Sequence, residues 1–193
     1  MNEDDPDQRL EYCKWFEDMV REDEEFAGKV IWSDVAQFKM NSTVNCHNCV
    51  DLAPVNPHVH GGKEVNLPGV NVQSGLSSRD ERFYLQHGAL PHYHRDVRAY
   101  LDNTLPGRWI GRRGAIEYPP WFPDLTPLDF YLWGTLKDEV YRQKPATLNT
   151  LQETIEVSCA AIKLDTLTAI VRSAVWRHQR CLAADGGHFE HVQ

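Results

Sequence analysis

YPPWFPDLTPLDFYLWG, residues 118–134, decides how this chain is read. Counted from Glu117, four prolines fall by residue 127. Proline removes a backbone donor and pushes its predecessor out of helical geometry, so the chain is expected to be irregular up to Pro127. Pro127 itself can sit in the first turn of a helix, where its missing N–H is harmless. That helix then carries Phe130, Trp133, Leu136, Lys137 and Val140. It opens on Asp129, where a carboxylate suits the helix dipole.

Working outward, the segment before this stretch is strand-rich and the segment after it is helical. Leu10, Cys13, Phe16, Met19 and Val20 fall at helical spacing, which predicts a first helix ending near Glu25. KVIWSD (29–34), AQFKM (36–40) and TVNCHNCV (43–50) are short β-rich runs with polar residues between them, the pattern of an antiparallel meander. Residues 53–69 hold three prolines and three glycines and read as a loop. VNVQSGL (70–76) and FYLQ (83–86) read as further strands. Asp96, Val97, Tyr100, Leu101 and Leu105 suit an amphipathic helix stopped by Pro106 and Gly107, and RWIG (108–111) a short strand. Thr147 is placed to cap a helix carrying Leu148, Leu151, Ile155 and Cys159. Asp165 is placed to cap a last helix ending at Gly186 and Gly187. Helix, several strands, then helices give an α/β domain with a mixed sheet rather than a bundle or a sandwich.

Composition narrows the function classes. The 193 residues are 41% hydrophobic and 25% charged, a globular composition with no apolar run long enough to span a membrane. The acidic opening MNEDDPDQ lacks an apolar core, so no secretory or transit peptide is expected. The net charge of −8 is carried by residues 1–25, and the remainder is neutral. An acidic leader of this kind does not disqualify the neutral body from binding nucleic acid, and bases cluster at Arg95 and Arg98 and again at Arg108, Arg112 and Arg113. The five cysteines point to reduced thiols in a cytosolic or nuclear setting.

Several residue types carry possible chemistry. Asp34 closes the apolar run VIWSD, where a carboxylate is costly unless it lies at an edge or binds a partner. Two carboxylates from separate segments, Asp34 and Asp129, can hold Mg²⁺ with phosphate oxygens completing the shell. His87, His92 and His94 follow a strand, and His92 and His94 are candidates for metal, base or phosphate roles. Cys46 and Cys49 with His47, His58 and His60 suggest zinc, but in a strand-like run the two thiols would point to opposite faces. No phosphate-binding glycine loop, G-x-S-x-G or H-E-x-x-H is present.

VIWSDVAQF, LQHGALPHYH and YPPWFPDLTPLDFYLWG together resemble the three blocks of the catalytic domain of mariner-like transposases, within the DDE/D transposase and integrase superfamily. The resemblance runs from about residue 10 to 190. It implies a ribonuclease H-like fold in residues 9–193; the acidic leader, 1–8, is expected from its own residues to be disordered. It also implies DNA transposition as the ancestral function: metal-dependent cleavage and joining of DNA strands at transposon ends, in the nucleus. In the family three carboxylates hold two Mg²⁺ or Mn²⁺ ions. By resemblance Asp34 matches the first and Asp129 the third, with Asp124 structural, and His92, Arg95, Arg98, Arg108, Arg112 and Arg113 are the DNA-contacting candidates. A homodimer, or pairing with intact transposase, is the implied protein partnership.

Three departures accompany the resemblance. Where the family has a Q-D-G-A-P-P-H string, this chain reads Gln86, His87, Gly88, Ala89, Leu90, Pro91, His92, so the second carboxylate is lost at or beside His87. Only six residues separate Leu76 from Phe83, where the family places a crossover helix, so apolar surface is expected to be bared. The DNA-reading helix-turn-helix modules of the family are not found ahead of the first block. The expectation is a truncated and internally deleted copy that does not transpose, or a DNA-binding or transposase-binding regulator.

Overall fold

The computed structural model of the chain describes residues 5–40, 69–76, 83–86, 94–118 and 122–189. The runs 29–34 and 36–40 form one continuous strand, β1 (Val30–Lys39), and not two strands with a turn between them. Its second half alternates buried and exposed positions, with Ala36 and Phe38 inward and Val35 and Gln37 outward, so pleating carries the chain straight through. Asp34 therefore lies inside a strand rather than at its end.

β2 (Gly69–Leu76), β3 (Phe83–Gln86), β4 (Trp109–Gly111) and β5 (Ile116–Glu117) complete a mixed five-stranded sheet in the order β2-β1-β3-β4-β5. β5 ends on Glu117, the first residue of the stretch expected to be irregular. β1, β3, β4 and β5 are parallel, with Ser33 opposite Gln86, Leu85 opposite Ile110 and Gly111 opposite Glu117. β2 begins beside the end of β1: a Cβ on Gly69 would fall 2.5 Å from the Phe38 carbonyl oxygen, so glycine is required there. β2 thus runs back along β1. Its end and the start of β3 lie at one end of the sheet with β1 between them, about 10 Å apart by strand spacing. Six extended residues reach about 20 Å. The link 77–82 lies outside the described residues, but the span it covers is short. The dozen residues a parallel crossover needs are not required between antiparallel strands. Among residues of described exposure, Val35 is the one large apolar side chain of the sheet that is exposed.

Seven helical segments accompany the strands among the described residues: α1 (Asp5–Glu22), α2 (Phe26–Lys29), α3 (Arg95–Thr104), a π-helical turn (Leu128–Leu132), α4 (Trp133–Arg142), α5 (Leu148–Ala160) and α6 (Leu164–Ala183). α1 begins inside the leader that was expected to be disordered; Pro6 is harmless in its first turn. Thr147 caps α5 as expected, accepting from Thr150 N at 3.1 Å. Asp165 does not cap α6; Lys163 holds that position without a side-chain bond and Asp165 lies in the first turn. α3 buries Leu101 but leaves Tyr100 exposed, so its inner face is narrower than its spacing suggests. After α6 the chain turns through Gly186, whose φ of +78° and close approach to the Pro6 carbonyl both exclude a side chain.

The chain divides into two compact units. Unit 1 comprises residues 1–35, 73–132 and 163–193, and unit 2 comprises 36–72 and 133–162. In unit 1, α1 packs on α6, and the buried rings of Phe26 and Trp32 each lie within 6 Å of the buried Phe16 ring by centroid. Burying each such ring contributes about 2–3 kcal/mol. In unit 2, α4 packs on α5 over Phe38, Leu136, Val140, Leu151 and Ile155. Tyr141 closes that unit: its hydroxyl donates to the Lys39 carbonyl and accepts from the Lys39 amide, both at 2.9 Å.

Candidate nucleic-acid interface

Asp34 is 3% exposed, in a strand whose neighbours Trp32 and Ser33 are also buried. Ser33 donates to the Leu85 carbonyl at 2.7 Å and stitches β1 to β3 beside it. Ser33 and Gln86 form the last pair of the β1–β3 ladder, so Asp34 stands one residue beyond it. His87 follows Gln86 in the chain and, like Gly88 and His92, lies outside the described residues, as do Cys46, Cys49, His47, His58 and His60.

Asp129 is half-buried in the π-helical turn, and its amide donates to the Thr126 carbonyl at 3.0 Å. Single π turns inside helices occur often at functional sites. The sequence pattern does not separate a π turn from an α turn, so this feature was not foreseen. Near Asp129 is Tyr118, whose phenol is held well above its ordinary range by burial, with the negative charges of Asp129 and Asp124 adding to the effect. Tyr118 stays protonated and shares a 2.9 Å hydrogen bond with Thr126 Oγ1. Asp34 and Asp129 belong to the same unit. Among the described residues, however, no three His, Cys, Asp or Glu side chains gather into a set that could hold a metal ion. Carboxylate oxygens are the right donors for Mg²⁺ or Mn²⁺, but two-metal chemistry asks for more of them than the described residues assemble.

The arginines do not form one cluster. Arg112 and Arg113 follow Gly111 at the C-terminal end of β4, in a turn where Arg113 has φ +58° and its amide donates to Glu117 Oε2 at 3.1 Å. Gly111 lies in the row of Ser33 and Gln86, two strand spacings or about 10 Å from Ser33. Arg112 therefore leaves the sheet one residue beyond that row, level with Asp34, which continues within β1. Arg108 is at the other end of β4. There it lines a cavity of about 300 Å³ with Lys29, Glu22 and Phe83, at the edge where the parallel strands begin. Arg95 and Arg98 are on α3, Arg95 exposed and Arg98 half-buried; His94 caps that helix, its Nδ1 accepting from Asp96 N at 3.4 Å.

Beneath this surface is a polar network that sequence reading missed, except for the structural role given to Asp124. Arg9 is 1% exposed and forks onto Asp124, with Nη1–Oδ1 at 3.0 Å and Nη2 on Oδ2. Its guanidinium also lies 4.6 Å from the Phe122 ring centre. Arg177 donates to the Asp124 carbonyl at 2.9 Å and covers Phe130 at 4.2 Å. The π-helical turn that carries Asp129 is thus braced from α6, and the preceding P-D-L string from both α1 and α6.

No family model matches the chain, and no curated relative matches it. Solved structures do. A Mos1 transposase paired-end complex with left transposon end matches with a TM-score of 0.73 at 15% identity, covering 98% of this chain and 65% of that one. The Mos1 mariner paired-end complex with Mn matches at 0.70 and 15%, with the same coverage. The catalytic domain of Mos1 mariner transposase matches at 0.70 and 15%, covering 98% of both chains. This chain therefore spans about 65% of the length of the transposase chains in those complexes, and the part it spans is their catalytic domain. Its mixed sheet with flanking helices has the ribonuclease H-like fold of the mariner transposase catalytic domain.

Proposed function

We propose that this chain is a transposase-derived domain that engages DNA at the C-terminal edge of its parallel strands and does not cut it. The observation that carries the reading is the shared row: Asp34 follows Ser33 and Arg112–Arg113 follow Gly111 at one edge of a transposase-like sheet. In doubly wound sheets ligands gather at that edge, outside the carboxyl ends of the strands. Two arginines in a turn pinned by Glu117 suit phosphate, which fixes position without reading sequence. Asp34 and Asp129 are the carboxylates retained for Mg²⁺ or Mn²⁺. His87 stands where the second is expected, and a neutral imidazole brings neither the charge nor the oxygen that a Mg²⁺ pair needs. A Mos1 transposase of this fold is found in a paired-end complex with a transposon end, and the reading keeps the nuclear location expected from the sequence.

The test is DNA affinity as a function of salt. Replacing Arg112 and Arg113 by alanine should weaken binding alike for unrelated duplexes and flatten the logarithmic salt slope by about two. An unchanged slope in the folded double variant would overturn the placement of the interface.

A further inference from the structure

Cys13 and Cys181 are both fully buried, on the facing sides of α1 and α6. Arg9 and Cys13 are four residues apart and share one face of α1. Arg9 Nε donates to Cys181 Sγ at 3.2 Å, and the Cys13 thiol hydrogen-bonds to the same sulfur. Cys181 is thus the acceptor of two donors, one of them cationic. Neither thiol has a part in the DNA-facing edge described above.

We propose that Cys13 and Cys181 are a peroxide-oxidisable thiol pair that closes into a disulfide joining α1 to α6. The chemistry follows from the donors. The Cys13 hydrogen bond and the Arg9 guanidinium hold the Cys181 thiol below its ordinary range, while the same partnership and burial push Cys13 up. The Cys181 thiolate attacks a peroxide oxygen. The O–O bond breaks, hydroxide leaves and takes up a proton, and Cys181 becomes a sulfenic acid. That sulfur no longer carries charge, so Cys13 has no thiolate beside it to favour keeping its proton. The Cys13 sulfur then attacks Cys181, forming the S–S bond and releasing hydroxide, which takes up the Cys13 proton. In sum two thiols and one hydrogen peroxide give one disulfide and two waters. Hydrogen peroxide is small enough to enter during brief openings of the helix pair.

The test treats the unaltered chain with hydrogen peroxide, blocks the remaining thiols and maps its peptides without reductant. The expected product is a peptide pair joined through Cys13 and Cys181, lost on adding dithiothreitol. It should form at least about tenfold faster in the folded chain than in urea, where a long loop must close first. In Cys13→Ser, Cys181 should stop at a sulfenic acid that dimedone captures. Both thiols left reduced, Cys181 over-oxidised without a cross-link while Cys13 is present, or a cross-link formed as fast in urea would each overturn the proposal.

Discussion

Unit 1 buries Arg9, Asp124, His178 and two thiols among its rings, whereas the polar side chains buried in unit 2 among the described residues are Thr154 and Ser158. Unit 2 is apolar packing closed by Tyr141. Unit 1 holds its charged network in place with α1 and α6, which come from opposite ends of the chain. A buried ion pair adds little net stability over an apolar replacement, yet breaking one side of it is costly. The unit carrying Asp34, Asp129 and the arginine turn is therefore the one that depends on complete polar matching. The apolar unit tolerates loss in proportion to what is removed.

The sharpest way to break this contrast is Arg9→Met, which leaves Asp124 buried beside no guanidinium. It should destabilise unit 1 by about 3–5 kcal/mol. Hydrogen exchange should show lost protection in α1 and α6 before α4 and α5. Adding Asp124→Leu should restore most of the stability, because the uncompensated charge is then gone. If Arg9→Met were as mild as a surface change, the network would not be what holds unit 1.

Acid provides the next test. His178 is fully buried, stacks on Phe16 at 3.9 Å between ring centres, and donates from Nδ1 to the Ala174 carbonyl at 2.7 Å. Burial holds its imidazole down to about 4. Since the folded state resists the proton, this contribution is complete above the ordinary histidine value of about 6.5 and is lost as pH falls toward 4. The loss amounts to roughly 3 kcal/mol at most. Stability measured against pH should fall through that window in the unaltered chain and much less in His178→Phe. An unchanged slope would place the sensitivity elsewhere.

In unit 2 the effect is smaller. Tyr141→Phe removes both bonds to Lys39 and should cost about 1–2 kcal/mol, read as a lower denaturant midpoint at unchanged slope.

The fold was largely legible because its signals are local. FYLQ, the Thr147 cap and the proline-locked run before Asp129 each act within a few residues. The polar core of unit 1 was not legible, because Arg9 and Asp124 are 115 positions apart and neither carries a local mark of its partner. An acidic leading helix reads as a solvated face, and its one buried arginine is found only by pairing. Asp34 was identified as a carboxylate on an apolar strand but misplaced at its end, since a carboxylate closing VIWSD suggested a break before AQFKM where the strand runs straight on. The six-residue link before Phe83 is too short for the family's crossover helix, and β2 and β3, running in opposite directions, do not require one. Arg108, Arg112 and Arg113 read as one group because they are close in sequence, although β4 holds Arg108 and Arg112 at opposite ends.

The measurement that bears most directly on the central claim is nicking of supercoiled DNA with Mg²⁺ or Mn²⁺, run beside Asp34→Ala. The chain should bind the DNA and leave it uncut, indistinguishable from Asp34→Ala. Metal-dependent nicking that disappears in Asp34→Ala would contradict the claim, since it would mean that the retained carboxylates still form a working site.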